Sequence, residues 1–126
     1  MMERPTKKKK VLLIDDEKNL SALLKINIEA TTDYEVIVAT SGREGIELIK
    51  TDRPDLVLLD IVMPEMDGFE VLKLIKAIDP QLPVAMVTAV LDENEAKRAF
   101  KAGAYEYISK PIHSEYLKRA MLVKLL

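Results

Sequence analysis

The stretch DLVLLDIVMPEMDG, residues 55–68, decides how the rest of the chain is read. Four apolar residues, Leu56 to Leu59, run straight into an acid, Asp60, and a segment broken by Pro64 follows. An apolar run this short suits a strand. The lack of polar alternation suits one covered on both faces. A carboxylate then stands where the strand ends. It either serves a site there or only marks the strand's stop, and the flanking sequence separates the two.

The same rhythm repeats to either side. VLLI (11–14), YEVIVA (34–39), VAMVT (84–88) and YEYI (105–108) read as four more strands. Between them lie helical patterns. The first runs from about Glu17 to Ala30, with Leu20, Leu23, Leu24 and Ile28 expected on one face. Ser41 with Glu44, Asp67 with Glu70 and Asp92 with Glu95 repeat the capping pattern that opens a helix. A helix with Val71, Leu72, Leu74 and Ile75 follows Asp67, and Pro80 and Pro83 end it. Gly103 closes the fourth helix, and a fifth runs from about Ser114 to the end. Five strands alternating with five helices through short right-handed crossovers predict an α/β fold, a parallel sheet with helices on both faces.

The 126 residues suit one compact domain, and 48% of them are apolar. With two Phe and no Trp, the core must be built mostly from Val, Leu, Ile and Ala. The absence of Cys excludes disulfides, thiolate metal sites and cysteine nucleophiles, and one His, His113, cannot build a histidine metal cluster. A net charge of −2 argues against nucleic acid as the main partner. Residues 1–9 read as a solvated basic lead-in, its lysines running on to Lys10. The apolar run after them is too short for a signal peptide or a membrane span, so a cytoplasmic protein without membrane contact is expected.

Ligands of open parallel sheets sit outside the carboxyl ends of the strands. Those ends carry Asp15 and Asp16 after the first strand, Asp60 after the third, Thr88 after the fourth and Lys110 after the fifth. Three neighbouring carboxylates repel one another, and a hard divalent cation, Mg²⁺ or Mn²⁺, relieves that repulsion. With the Lys110 ammonium added, the formal charges cancel, which suits a site that receives a phosphoryl group. Asp60 is the natural nucleophile, because a carboxylate needs no general base at neutral pH. The Thr88 hydroxyl and the Lys110 ammonium would hold the phosphoryl oxygens.

VLLIDDE, DLVLLDIVMPEMDG, VAMVTA and AGAYEYISKP stand in order, and together they resemble the receiver domain of two-component response regulators over about residues 9–122. The resemblance implies a flavodoxin-like, doubly wound sheet of order 2-1-3-4-5. It implies that Asp60 is the phospho-acceptor, and that Asp15, Asp16 and Asp60, with the backbone carbonyl of Val62, hold the metal. Thr88 and Lys110 would bind the phosphoryl group, Thr88 and Tyr107 would form the switch, and the Lys110–Pro111 bond would be cis. The implied partners are a sensor histidine kinase or a histidine phosphotransfer protein, with a downstream target or a dimer through the fourth helix, fifth strand and fifth helix. A single receiver domain over residues 1–126, with no output domain in this chain, is the expected organisation. The implied role is a phospho-acceptor signalling domain that catalyses its own phosphorylation and slow dephosphorylation.

Plainer roles exist for each residue. Asp15 and Asp16 could be a strand-to-helix turn, Thr88 a satisfied strand-end hydroxyl, and Tyr107 a half-buried strand aromatic. Met63 and Met66 could pack a loop, and Pro64 and Gly68 shape the turn that carries Asp60. His113 reads as a surface residue at a helix start where the family often has an acidic cap. Two rival functions fail on single positions. A dehalogenase-type phosphatase needs a second acid two residues after the nucleophile, where Val62 stands. A nucleotide-binding module needs a Gly- or hydroxyl-rich first loop, where DDEKN stands. Val62 and Val90 are the positions that flank the path of a hydrolytic water in a receiver. Neither side chain can orient a water, and both should exclude one, so slow loss of the phosphoryl group is expected.

Overall fold

A computed structural model describes residues 8–126. The elements follow in the order β1 (Lys10–Ile14), α1 (Lys18–Thr31), β2 (Glu35–Ala39), α2 (Gly42–Thr51), β3 (Leu56–Asp60), α3 (Gly68–Ile78), β4 (Val84–Thr88), α4 (Glu93–Lys101), β5 (Glu106–Ser109) and α5 (Ser114–Leu125). All strand pairs are parallel, in the order β2-β1-β3-β4-β5. Within the basic lead-in, residues 1–7 lie outside the described residues, while Lys8 and Lys9 are exposed.

Side chains alternate along each strand, and the alternation sorts the core into two layers. Leu12, Ile14, Val57, Leu59, Val84 and Met86 face α2, α3 and α4. Val11, Leu13, Leu56, Leu58, Ala85 and Val87 face α1 and α5. β3 and β4 are buried throughout, as their unbroken apolar runs require.

The three capping pairs form. Ser41 Oγ accepts the Glu44 N–H, and Glu44 in turn accepts the Thr40 N–H. The carboxylates of Asp67 and Asp92 accept the N–H groups of Glu70 and Glu95. Each such cap contributes about 1 kcal/mol. Gly103 ends the α4 segment with φ +107°, a conformation open to glycine at little cost. His113 occupies the N-cap position of α5 without a side-chain cap bond, yet the helix starts at Ser114 as expected.

One expected helix face is corrected. Leu20 and Leu23 are 52% and 63% exposed, and Leu74 is 42% exposed. In α1 the buried stripe runs through Ser21 and Ile28, with Leu24 half-buried against the core. A small serine fits where the helix approaches the sheet, so the true inward face carries fewer leucines than the outward one. In α3 the buried residues are Phe69, Val71, Leu72 and Ile75. Leu74 lies at the flank of that stripe and turns partly to solvent.

Candidate functional site

The sheet register brings the carboxyl ends of β1, β3, β4 and β5 together. Backbone bonds continue the ladder just past the strands, from Asp15 N–H to Ala39 O at 3.0 Å, from Ile61 N–H to Val87 O at 3.0 Å and from Lys110 N–H to Thr88 O at 2.6 Å. The residues that bear the functional groups are therefore held by the sheet itself.

Asp15, Asp60 and Thr88 are 6%, 5% and 1% exposed. One carboxylate oxygen from each of Asp15, Asp16 and Asp60 lies within 4.8 Å of the others. The Lys110 ammonium stands 3.2 Å from Asp15 Oδ2 and 3.6 Å from Asp60 Oδ2. The Lys110–Pro111 peptide is cis. The Val62 N–H points at Asp60 Oδ1 over 3.4 Å, and the Thr88 hydroxyl accepts the Val90 N–H at 3.2 Å. Asp15, Asp16, Asp60 and Lys110 thus form one cluster, and Thr88 ends the neighbouring strand, its backbone bonded to that of Lys110.

Burial pushes the Asp60 carboxyl up to about 6. Lys110 pulls it down, Asp15 pushes it up, the Val62 N–H pulls it down and Asp16 adds to the rise. For Lys110 burial acts downward, but Asp60 and Asp15 together hold its ammonium above the ordinary value. The three acids have one internal cation for three negative charges. Their oxygen-only chemistry and mutual approach fit a hard divalent ion.

The loop from β3 to α3 sets the aim of Asp60. The Gly68 N–H bonds Ile61 O at 2.8 Å. A β-carbon at Gly68 would lie 2.5 Å from Asp60 O and 2.6 Å from Ile61 Cα, so only glycine lets α3 begin against this backbone. Between them Met66 N–H bonds Pro64 O at 2.7 Å across Glu65, whose φ is +68°. That is a γ-turn of the strained hand, on a residue with a side chain. Met63 is buried and Met66 packs against the core, so both methionines anchor the loop.

Tyr107 is buried, and its hydroxyl donates to Val90 O at 3.1 Å, with Glu95 Oε2 at 3.4 Å. Burial, then the Glu95 carboxylate, push its phenol up. Tyr107, expected as part of the switch, has its ring already turned inward here. Val62 and Val90 are 69% and 56% exposed, so they stand at the rim and shield the site less than expected.

Two participants were not foreseen. Glu17 Oε1 lies 3.6 Å from the Lys110 ammonium, and its N–H bonds Asp15 Oδ1 at 3.0 Å. The third acid of the DDE run was the available signal. Glu95, the partner of Tyr107, served in the sequence only as a capping residue.

Comparison with known proteins gives a consistent result. The family described as "Response regulator receiver domain" matches residues 11–122. The chain is 38% identical over 114 residues to the chemotaxis protein CheY of Thermotoga maritima, spanning 90% of this chain and 94% of that protein. It is 37% identical over 103 residues to the alkaline phosphatase synthesis transcriptional regulatory protein PhoP of Bacillus subtilis, spanning 82% of this chain but 42% of the relative. It thus spans about half the length of several curated relatives it matches. A CheY-like receiver domain from Methanospirillum hungatei superposes with a TM-score of 0.88 at 30% identity, over 94% of both chains. The match in sequence covers all four strand ends that carry the acids, threonine and lysine, and the chain belongs to the response regulator receiver domain family.

Proposed function

We propose that this receiver domain accepts a phosphoryl group on Asp60 from a phosphohistidine and relays the event through a change of surface. The observation that carries the proposal is the approach of Lys110 to Asp60 at 3.6 Å beside three carboxylates whose oxygens lie within 4.8 Å. An Asp60 carboxylate oxygen attacks phosphorus, the phosphorus–nitrogen bond breaks, and its electron pair leaves with the donor imidazole. The product is an acyl phosphate. Asp15, Asp16, Asp60 and the Val62 carbonyl would hold Mg²⁺ or Mn²⁺, which when bound supplies positive charge to the phosphoryl oxygens. The Lys110 ammonium offsets charge on the same oxygens, and the Thr88 hydroxyl donates to one of them once released from Val90.

The donor must reach a buried carboxylate. Beside Asp15 and Lys110 a groove of about 630 Å³ is walled by Leu20, Leu23, Pro111 and Ile112. The exposed leucines of α1 therefore continue directly from the acceptor site. They suit a sensor histidine kinase or histidine phosphotransfer protein that presents its histidine over Asp60. On the output side, Tyr107 already sits inward, so phosphorylation would hold that position through Thr88 rather than create it. The surface of α4, β5 and α5 then carries the signal to a target or to a second copy.

Incubation with a small phosphoryl donor and Mg²⁺ should add one phosphoryl group, read by intact-mass spectrometry, and Asp60→Asn should abolish the addition. Unmodified wild-type protein would overturn the proposal. Its lifetime is a second prediction. Val62 and Val90 offer a hydrolytic water no hydrogen bond, so decay should be slow after the donor is removed. Val62→Asn combined with Val90→Glu should speed it, and an unchanged decay in that variant removes these residues from the account.

A further inference from the structure

The opposite edge of the sheet carries a cavity of about 460 Å³ whose charge is the reverse of the acceptor site's. Lys9, Arg53, Lys76 and Lys124 line it, against Asp55 as the one lining acid. The chain as a whole is negative, at −2, so this concentration of cations is local. Asp55 is already engaged, since its Oδ2 accepts the Lys10 N–H at 2.8 Å. Arg53 is paired with Asp79. Lys9, Lys76 and Lys124 make no ion pair among the described residues. The last two are held in place. Lys76 donates to Leu82 O at 2.7 Å, and the Lys124 ammonium lies 5.1 Å from the centre of the Tyr105 ring.

A purely structural account explains part of this. Lys76 and Lys124 lie in the last turns of α3 and α5, where cations complement the helix dipole. Lys9 and Arg53 belong to no helix, so that account does not bring four cations to one cavity. Burial lowers the affinity of Lys76 for its proton, Asp79 raises it, and Lys124 lowers it further, so the two ammonium groups feel one another. Cations gathered in excess of the acids beside them, Asp55 and Asp79, are the complement of an anion.

We propose that this amino-edge cavity, walled by Lys9, Lys76 and Lys124, is a second binding site that takes a small anion carrying two or more negative charges of phosphate type. Its volume falls in the range of small-ligand pockets. Three ammonium groups suit phosphoryl oxygens, which accept from several donors at once. The site lies at the sheet edge away from Asp60, so binding there is independent of the acceptor chemistry.

Inorganic pyrophosphate is the probe, titrated at constant ionic strength and without Mg²⁺ into isotope-labelled protein followed by NMR. Saturable shifts at the amides of Asp55, Gln81, Gly103, Tyr105 and Leu125 are expected, unchanged in Asp60→Asn. Lys9→Gln combined with Lys124→Gln, at two exposed positions, should weaken binding about tenfold or more. A parallel titration with ADP separates sources. Equal affinity assigns the recognition to phosphate alone, and tighter binding assigns it to a nucleotide. Shifts centred on Asp15, Asp60 and Lys110, no saturation, or unchanged affinity in the double variant would overturn the proposal. So would displacement of pyrophosphate by an acidic peptide of equal charge that binds more tightly. Should the double variant lose stability but bind as wild type, Lys124 serves only its helix end and the site is refuted.

Discussion

At the carboxyl edge of the sheet, Asp15, Asp60 and Thr88 are buried and the acids crowd one another. At the amino edge the charged groups are largely in contact with solvent and several are paired, as in Lys10 with Asp52 and Arg53 with Asp79. Both edges are built from the same strands. The difference teaches that burial, more than the number of charges, decides what a charged group costs the fold. The carboxyl edge is a strained, self-repelling arrangement that the packed interior must hold in place. The amino edge contributes little to the fold either way, which leaves its charged groups available for binding.

The strongest way to break this comparison is to disturb the scaffold under Asp60. In Gly68→Ala the new β-carbon meets Asp60 O and Ile61 Cα, both backbone atoms that cannot swing aside. A loss of about 3 kcal/mol is expected, at the upper end for overpacking. The rate of phosphorylation should fall with it, since the same shift moves the acceptor. Denaturant unfolding measures the first effect and intact mass over time the second. A variant as stable as wild type would show that the loop yields freely and that the edge is not held as described.

The next test removes the charge and keeps the shape. Burial raises the Asp60 carboxyl from 3.8 to about 6, so between those values the metal-free native state holds a proton that the unfolded chain has released. Stability therefore falls as pH rises through this window, and the loss is complete above about 6. At neutral pH Asp60→Asn should stabilise the metal-free protein by about 2 kcal/mol and flatten that slope. Mg²⁺ should raise the wild-type melting temperature and leave the variant's nearly unchanged. Thermal unfolding from pH 4 to 8, with and without Mg²⁺, reads both. A destabilised Asn variant at pH 7 would mean that Lys110 outweighs burial and the repulsion.

How much of this the sequence disclosed follows from the same physics. Strands buried on both faces are written as unbroken apolar runs, so β3 and β4 were legible almost to the residue. The site was legible because a parallel sheet gathers its strand ends, and four of those ends carry polar groups. The capping pairs were local and were read correctly. Helix facing was not, because α1 turns inward on Ser21, a residue that announces nothing, while Leu20 and Leu23 turn outward. Ser21 Oγ is buried without a hydrogen-bond partner among the described residues, which no sequence rule suggests. The γ-turn at Glu65 was hidden as well, since Pro64 and Gly68 signal a turn but not its hand. Tyr107 was placed correctly on β5, but whether its ring points in or out depends on packing against Val90 and Glu95 from another loop and helix.

The smallest expected effect lies at the amino edge. Lys10 is held by Asp52 through both carboxylate oxygens at 2.6 Å, yet Asp52 is half-exposed. The Asp52 hydrogen bond raises the Lys10 ammonium, burial opposes this, and the charges of Asp52, Glu35 and Asp55 add to the rise. A raised lysine contributes stability that is fully present below 10.5 and is lost only as pH climbs through its folded value. Lys10→Gln should therefore lower the melting temperature slightly at pH 7, and the difference should shrink in molar salt, which screens a pair whose acid is half-exposed. The backbone bond from Lys10 N–H to Asp55 survives the change, so β1 keeps its register beside β3. A shift as large as that of Asp60→Asn, or one insensitive to salt, would erase the distinction between the edges. It would make the Lys10 pair part of the framework rather than a solvated contact, because only a group shielded from water can matter so much and ignore the ions around it.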